Sequence, residues 1–146
     1  MLRPYQKNDL TVCIQLFVAA FNAPPLNYQF ITHEKTRRYL RDIVSTPGFN
    51  GFMYKINGQP AAFCFGVKDD YFHAPQYEIK EFAVCPAQQG KGTGSAFLRE
   101  IEKTLTKEGV TAISLQTSRA IPAYGFYKKN GFTEYGETVG FMKSLI

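Results

Sequence analysis

The spacing of apolar positions changes along the chain, and each spacing predicts an element. Leu2-Arg3-Pro4 reads as a short first strand, which Pro4 confines to a sheet edge. Leu10, Cys13, Ile14, Phe17, Val18 and Phe21 then recur on one helical face. Asn8 or Asp9 stands where a cap is needed, and Ala23-Pro24-Pro25-Leu26 stops the helix. A second helix is predicted over about residues 32–44, with Tyr39, Leu40, Ile43 and Val44 as its apolar face, ended by Thr46-Pro47-Gly48. Residues 49–56 and 61–67 read as two strands joined by Asn57-Gly58, a strong hairpin-turn pair. A loop at 68–76 leads to a strand at 78–84. Next comes a glycine-rich turn at 88–95 and a helix carried by Phe97, Leu98, Ile101 and Leu105, with Gly109 just past its end. A strand at 112–117, a short helix from Pro122 to Asn130 closed by Gly131, and strands at 132–135 and 138–144 complete the pattern.

This order predicts an α+β (mixed α/β) fold: a mostly antiparallel sheet of about six to seven strands flanked by about four helices. With 146 residues and no internal repeat or linker, residues 1–146 are expected to form a single domain. No apolar run approaches the roughly 18–20 residues that span a bilayer, and no signal peptide is recognisable. Cys13, Cys64 and Cys85 are odd in number and widely spaced, without a C-x-x-C or metal pattern, so reduced thiols in a cytoplasm are expected. His33 and His73 read as surface histidines, and no metal site is expected. The net charge of +5 comes from basic residues spread along the chain, not from a block, and no nucleic-acid motif accompanies it. A polyanionic ligand or a plain solvated surface accounts for it equally well.

The chemistry concentrates at 78–107. Gly90, Gly92 and Gly94 alternate with Lys91, Thr93 and Ser95 immediately before a helix. Glycines let backbone approach a ligand closely, and a helix N-terminus with free N–H groups favours phosphate. Neither the Walker spacing nor G-x-G-x-x-G is present. Taken alone, the turn is equally a plain strand-to-helix connection.

Two motifs in order add to it. Gln89-Gly90-Lys91-Gly92-Thr93-Gly94 fits Q/R-x-x-G-x-G/A, after a strand ending Glu81-Phe82-Ala83-Val84-Cys85-Pro86. About thirty residues on, Ala123 to Phe132 fits A-x-x-x-Y-x-K-x-G-F. Together they resemble the GCN5-related N-acetyltransferase (GNAT) superfamily. In layout the likeness covers about residues 2–143, and it is strong from Glu78 to Phe132.

The resemblance implies an acetyl-CoA-dependent N-acetyltransferase acting on a primary amine of a small molecule or peptide. It implies that Gln89, Gly90, Lys91, Gly92, Thr93, Gly94 and Ser95 hold the coenzyme A pyrophosphate. Phe82, Ala83 and Val84 would line its arm, with a backbone N–H near Val84 as donor to the thioester carbonyl. Pro86 has no N–H, so that donor must lie before it. Tyr127 would be the general acid, close to the cofactor sulfur; an ordinary tyrosine, ionising near 10, keeps its proton at neutral pH. Glu81 is taken as the base, although a water chain or a mere surface ion pair are alternatives. Glu78 and Glu81 face opposite sides of a regular strand unless a bulge intervenes. Phe21, Phe30 and Glu78 are candidate acceptor-binding residues, with packing an equal account of the two rings. The F-N-x-P-P segment is loosely similar to aminoglycoside-type members. Dimers are common in the family, so a homodimer is a further expectation, with no nucleic-acid or membrane partner. Ala120 stands where many members carry asparagine, which removes one side-chain contact. The rival reading is a non-catalytic acyl-CoA-binding or regulatory module of the same fold, and a weaker one is nucleotide binding through the glycine turn.

Overall fold

The computed structural model describes residues 1–70 and 74–146. His73 therefore lies outside the described residues. The chain divides into two compact units, residues 1–116 and 117–146.

The first unit is built on one five-stranded sheet in the order β1-β2-β3-β4-β5. Its strands are β1 (Leu2–Pro4), β2 (Phe49–Ile56), β3 (Gln59–Asp69), β4 (Gln76–Val84) and β5 (Ala112–Ser114). Pro4 sits in the edge strand, where the missing N–H costs no central ladder bond. The β2–β3 hairpin turns on Asn57 and Gly58, both with positive φ (52° and 76°), as a type I′ turn requires. β1 to β4 pair antiparallel; β5 lies parallel to β4.

Helices α1 (Leu10–Asn22) and α2 (His33–Val44) cover one face of the sheet. Cys13, Ile14, Leu16 and Phe17 of α1, with Leu40 and Ile43 of α2, bury themselves against Met53, Phe63, Phe65 and Ala83. Asp9 occupies the cap position of α1, but its carboxylate does not cap that helix. It turns back to accept from Gln6 N (2.7 Å) and from both terminal nitrogens of Arg3 (2.8 and 2.7 Å). Thr32 caps α2 through its hydroxyl, which accepts from Lys35 N at 3.2 Å. The other face takes α3 (Thr93–Lys107), whose Phe97 meets the rings of Tyr54 (5.0 Å) and Phe82 (5.4 Å). Leu98, Ile101 and Leu105 complete that buried stripe. The unit is therefore a helix–sheet–helix sandwich, the α+β class expected.

Three boundaries differ from expectation. β3 and β4 run further than the pattern indicates, which shortens the connection between them. β5 stops at Ser114, not residue 117. The expected strands at 132–135 and 138–144 are not strands, so the sheet has five members where six to seven were expected. Phe141, Met142, Leu145 and Ile146 are almost fully exposed. Alternation marks a segment able to pair; it cannot supply a neighbouring strand, and without one the extended segment is not a ladder.

In the second unit, α4 (Pro122–Lys129) begins with proline at its first position and ends at Gly131, whose φ is +91°. Arg119 donates to Glu134 at 2.8 Å across the helix's ends.

Candidate active site

The glycine turn is a real helix entry with an unusual cap. After β4 comes a single 3-10 turn, Pro86–Gln88, and then Gly90 and Gly92 with φ of +74° and +79°. Gly92 is the N-cap of α3, and no side chain caps that terminus. A Cβ on either glycine would meet nothing within 4 Å, so open space surrounds the turn and only the backbone conformation demands glycine. The first-turn N–H groups of a fifteen-residue helix thus end in an open, side-chain-poor cradle with the positive end of the dipole behind it. Such a terminus accepts a phosphate without rearrangement. Lys91 is exposed beside it; Thr93 is buried, its hydroxyl 3.5 Å from Gln88 Oε1. The Gln89 side chain ties the turn to the strand end, its Nε2 donating to the Val84 carbonyl at 3.0 Å.

β5 does not accompany that strand end. β5 accompanies β4 only over Gln76, Tyr77 and Glu78, so from Ile79 to Val84 no strand of the described residues lies on that edge. Backbone donors alternate between the two edges of an antiparallel strand. Cys85 N donates to Ala61 O at 2.7 Å, toward β3. The Val84 N–H therefore points to the other edge, and Pro86 has none to offer. Val84 thus offers an N–H on the edge that β5 does not cover.

The register of β3 against β4 settles the orientation of the two glutamates. Phe65 pairs with Glu81 but the next residue, Gly66, pairs with Ile79, leaving Lys80 as the extra residue of a bulge. Val67 then pairs with Glu78. Phe65 and Val67 share a face, so Glu78 and Glu81 share it too, on the side covered by α1 and α2. Glu78 is bound to Lys80 at 2.8 Å and is partly exposed. Glu81 is half-buried and accepts a hydrogen bond at Oε1 from the Tyr39 hydroxyl of α2. Burial pushes the Glu81 carboxyl up to about 7, while the Tyr39 hydrogen bond acts in the opposite direction. Burial, then the bond to Glu81, raises the Tyr39 phenol well above its ordinary range. Tyr39 was expected only as part of an apolar face; it is 45% exposed and carries this contact instead. No local signal in the sequence links it to a carboxylate 42 residues away.

The loop between α1 and α2 is an aromatic stack. Phe17 lies on Phe21 (4.4 Å), Phe21 near Tyr28 (6.0 Å) and Tyr28 on Phe30 (5.4 Å). Phe21 packs against the core, while Phe30 is 66% exposed at the outer end. Phe17 also meets Tyr39 at 6.0 Å, so the stack begins beside Glu81.

Tyr127 belongs to the second unit. Its ring is buried and meets Phe126 (5.1 Å) and Phe132 (5.3 Å) edge to face. Phe132 N donates to the Tyr127 carbonyl at 3.0 Å, so the Gly131-Phe132 ending of the motif closes the helix that carries the tyrosine.

Comparison with known proteins shows the family and the fold. The family model described as "Acetyltransferase (GNAT) family" matches residues 15–132. The chain belongs to that family. No curated protein matches the sequence. Among solved structures, an aminoglycoside acetyltransferase from an uncultured soil metagenomic sample, in complex with sisomicin, is 19% identical. It superposes with a TM-score of 0.73 over 100% of this chain and 96% of the other. An aminoglycoside 6'-N-acetyltransferase from Acinetobacter haemolyticus is 12% identical, with a TM-score of 0.73 over 100% and 99%. A transcriptional regulator from Bacillus halodurans C-125 is 17% identical, with a TM-score of 0.74 over 99% of both chains. At these identities the likeness establishes a shared fold. Among the described residues, no helix is long and apolar enough to cross a membrane.

Proposed function

We propose that this chain is an acetyl-CoA-dependent N-acetyltransferase that acts on a primary amine of a small molecule or peptide. The observation that carries the reading is the uncapped N-terminus of α3, opened by two positive-φ glycines beside the one stretch of β4 that β5 leaves free. An elongated polyanion with an amide-rich arm suits both halves of that feature. The turn 89–95 takes the phosphates, and the edge of β4 beyond β5 pairs with the arm as an added strand would. Bound acetyl-CoA supplies the acetyl thioester.

The remaining work falls to side chains and one amide. An amine arrives in neutral water as ammonium, and Glu81, whose affinity for protons lies near neutrality, removes one proton from its nitrogen. The Val84 N–H donates to the carbonyl oxygen as negative charge gathers there. The new C–N bond forms, the C–S bond breaks, and Tyr127 gives its phenolic proton to the departing sulfur. The second nitrogen proton restores the tyrosine through water, and Glu81 releases its own to solvent. The sum is one proton released per acetyl group transferred. The aromatic stack from Phe17 to Phe30, with Glu78 and Glu81 on one face, suits a cationic acceptor with an apolar flank.

The regulator among the structural neighbours favours a second reading, a non-catalytic acyl-CoA sensor. Tyr127→Phe separates the two when acetyl-CoA turnover is measured on a panel of amines. The enzyme reading predicts a kcat lower by roughly 10²–10⁴-fold with acetyl-CoA affinity retained. Tight acetyl-CoA binding by wild type with no turnover on any amine favours the sensor.

A further inference from the structure

The contact between Tyr39 and Glu81 joins two elements that the fold need not have joined. Glu81 reaches the α1/α2 side by regular alternation with Ala83, and the bulge at Lys80 brings Glu78 to the same side. Tyr39 stands on the flank of α2, one position before buried Leu40, and its ring rests against Phe17 of α1. The hydroxyl then spans from helix to strand and ends on Oε1. A tyrosine kept half in water, while its neighbours Leu40 and Ile43 are buried, is not required for the core. The groups that could compete for Glu81 are few. α1 contributes one titratable side chain, Cys13, held neutral by burial. β3 contributes Cys64, also neutral, its thiol pushed up to about 12 by burial. On α2, Lys35, Arg38 and Asp42 are exposed. Glu78 on β4 is already paired with Lys80.

We propose that Tyr39 is the positioning residue for the proton acceptor. Its hydroxyl holds Glu81 Oε1 and leaves Oε2 to take the proton of the acceptor amine. The inference rests on the acetyltransferase reading. In the step itself the N–H bond of the ammonium breaks and the Oε2–H bond forms. Tyr39 keeps its own proton throughout, and the carboxylic acid then passes its proton to water. The phenol's second effect is to favour the ionised carboxylate at neutral pH, since a hydrogen bond to the charged form opposes burial.

The test is a ¹³C-carboxyl NMR titration of wild type and Tyr39→Phe, with Glu81 assigned by Glu81→Gln, alongside the pH profile of kcat/KM. Tyr39→Phe is expected to move the Glu81 midpoint upward by about one unit, the size of one lost hydrogen bond to a charged acceptor. The acid limb of kcat/KM moves with it, activity recovers at high pH, and KM for acetyl-CoA is unchanged. Tyr39→Leu, which also lacks the hydroxyl, is expected to act in the same direction and serves if the first variant does not fold. An unmoved midpoint with active enzyme overturns the pairing alone. A shifted midpoint with no acetyl transfer by wild type retires the acetyltransferase reading, and the catalytic role of the pair with it.

Discussion

Glu81 has two effects of opposite sign. Its carboxyl has an ordinary value of 4.5 and a folded value of about 7. Between those values the folded chain holds a proton that the unfolded chain has released, so stability falls as pH rises through that window. Below about 4.5 both states are protonated and no penalty remains. Under the proposed mechanism activity runs the other way, because only the ionised carboxylate accepts a proton. Glu81→Gln should therefore raise the melting temperature at pH 8 by roughly a few degrees, with the difference closing by pH 4, while kcat falls roughly 10²–10⁴-fold. Thermal scans at both pH values check the first part; a variant less stable than wild type at pH 8 would contradict it. Glu81 was legible as a candidate because it precedes the glycine turn on an apolar strand. Its partner Tyr39 was not, since side-chain contact between a helix and a distant strand depends on packing and not on spacing.

Among the elements, the bulge in β4 brings Glu78 to the face that Glu81 already occupies, and Gly66 stands opposite it. Gly66 pairs with Ile79 at the register shift. A Cβ there would lie 2.2 Å from Tyr77 Cζ and 2.5 Å from its hydroxyl oxygen. Tyr77 is fully buried and donates to the Asn50 carbonyl at 2.7 Å. Neither the ring nor that bond has anywhere to move. Gly66→Ala is expected to cost about 1–3 kcal/mol by overpacking, seen as a lower urea midpoint; a variant as stable as wild type would show that the ring yields. Helices and the hairpin were read from the sequence to within a residue or two, because caps, prolines and Asn57-Gly58 act locally. The bulge was only a conditional in the sequence. A period of two carries no record of an extra residue until the neighbouring strand is known.

For the whole molecule, the family match over residues 15–132 crosses from the first unit into the second. The glycine turn, the edge of β4 beyond β5 and Glu81 lie in the first, and Tyr127 in the second. The motifs that identify the family were visible because each is a local backbone device: an uncapped helix entry and a tyrosine helix closed by Gly131-Phe132. The last two strands were overread, because apolar alternation near the end of the chain does not show whether a neighbour exists to pair with. The acceptor was unreadable for a related reason, since the aromatic stack is assembled from a loop without periodicity. If the entry to α3 binds the phosphates of acetyl-CoA, calorimetric titration of wild type and Gly92→Glu will separate the two chains. That substitution sets a carboxylate in the anion cradle and a side chain at a φ of +79°. Micromolar binding by wild type, lost in a variant whose circular dichroism is unchanged, is the predicted result. Equal binding by both chains, or none by folded wild type, would contradict it and leave the glycine turn as a connection between a strand and a helix.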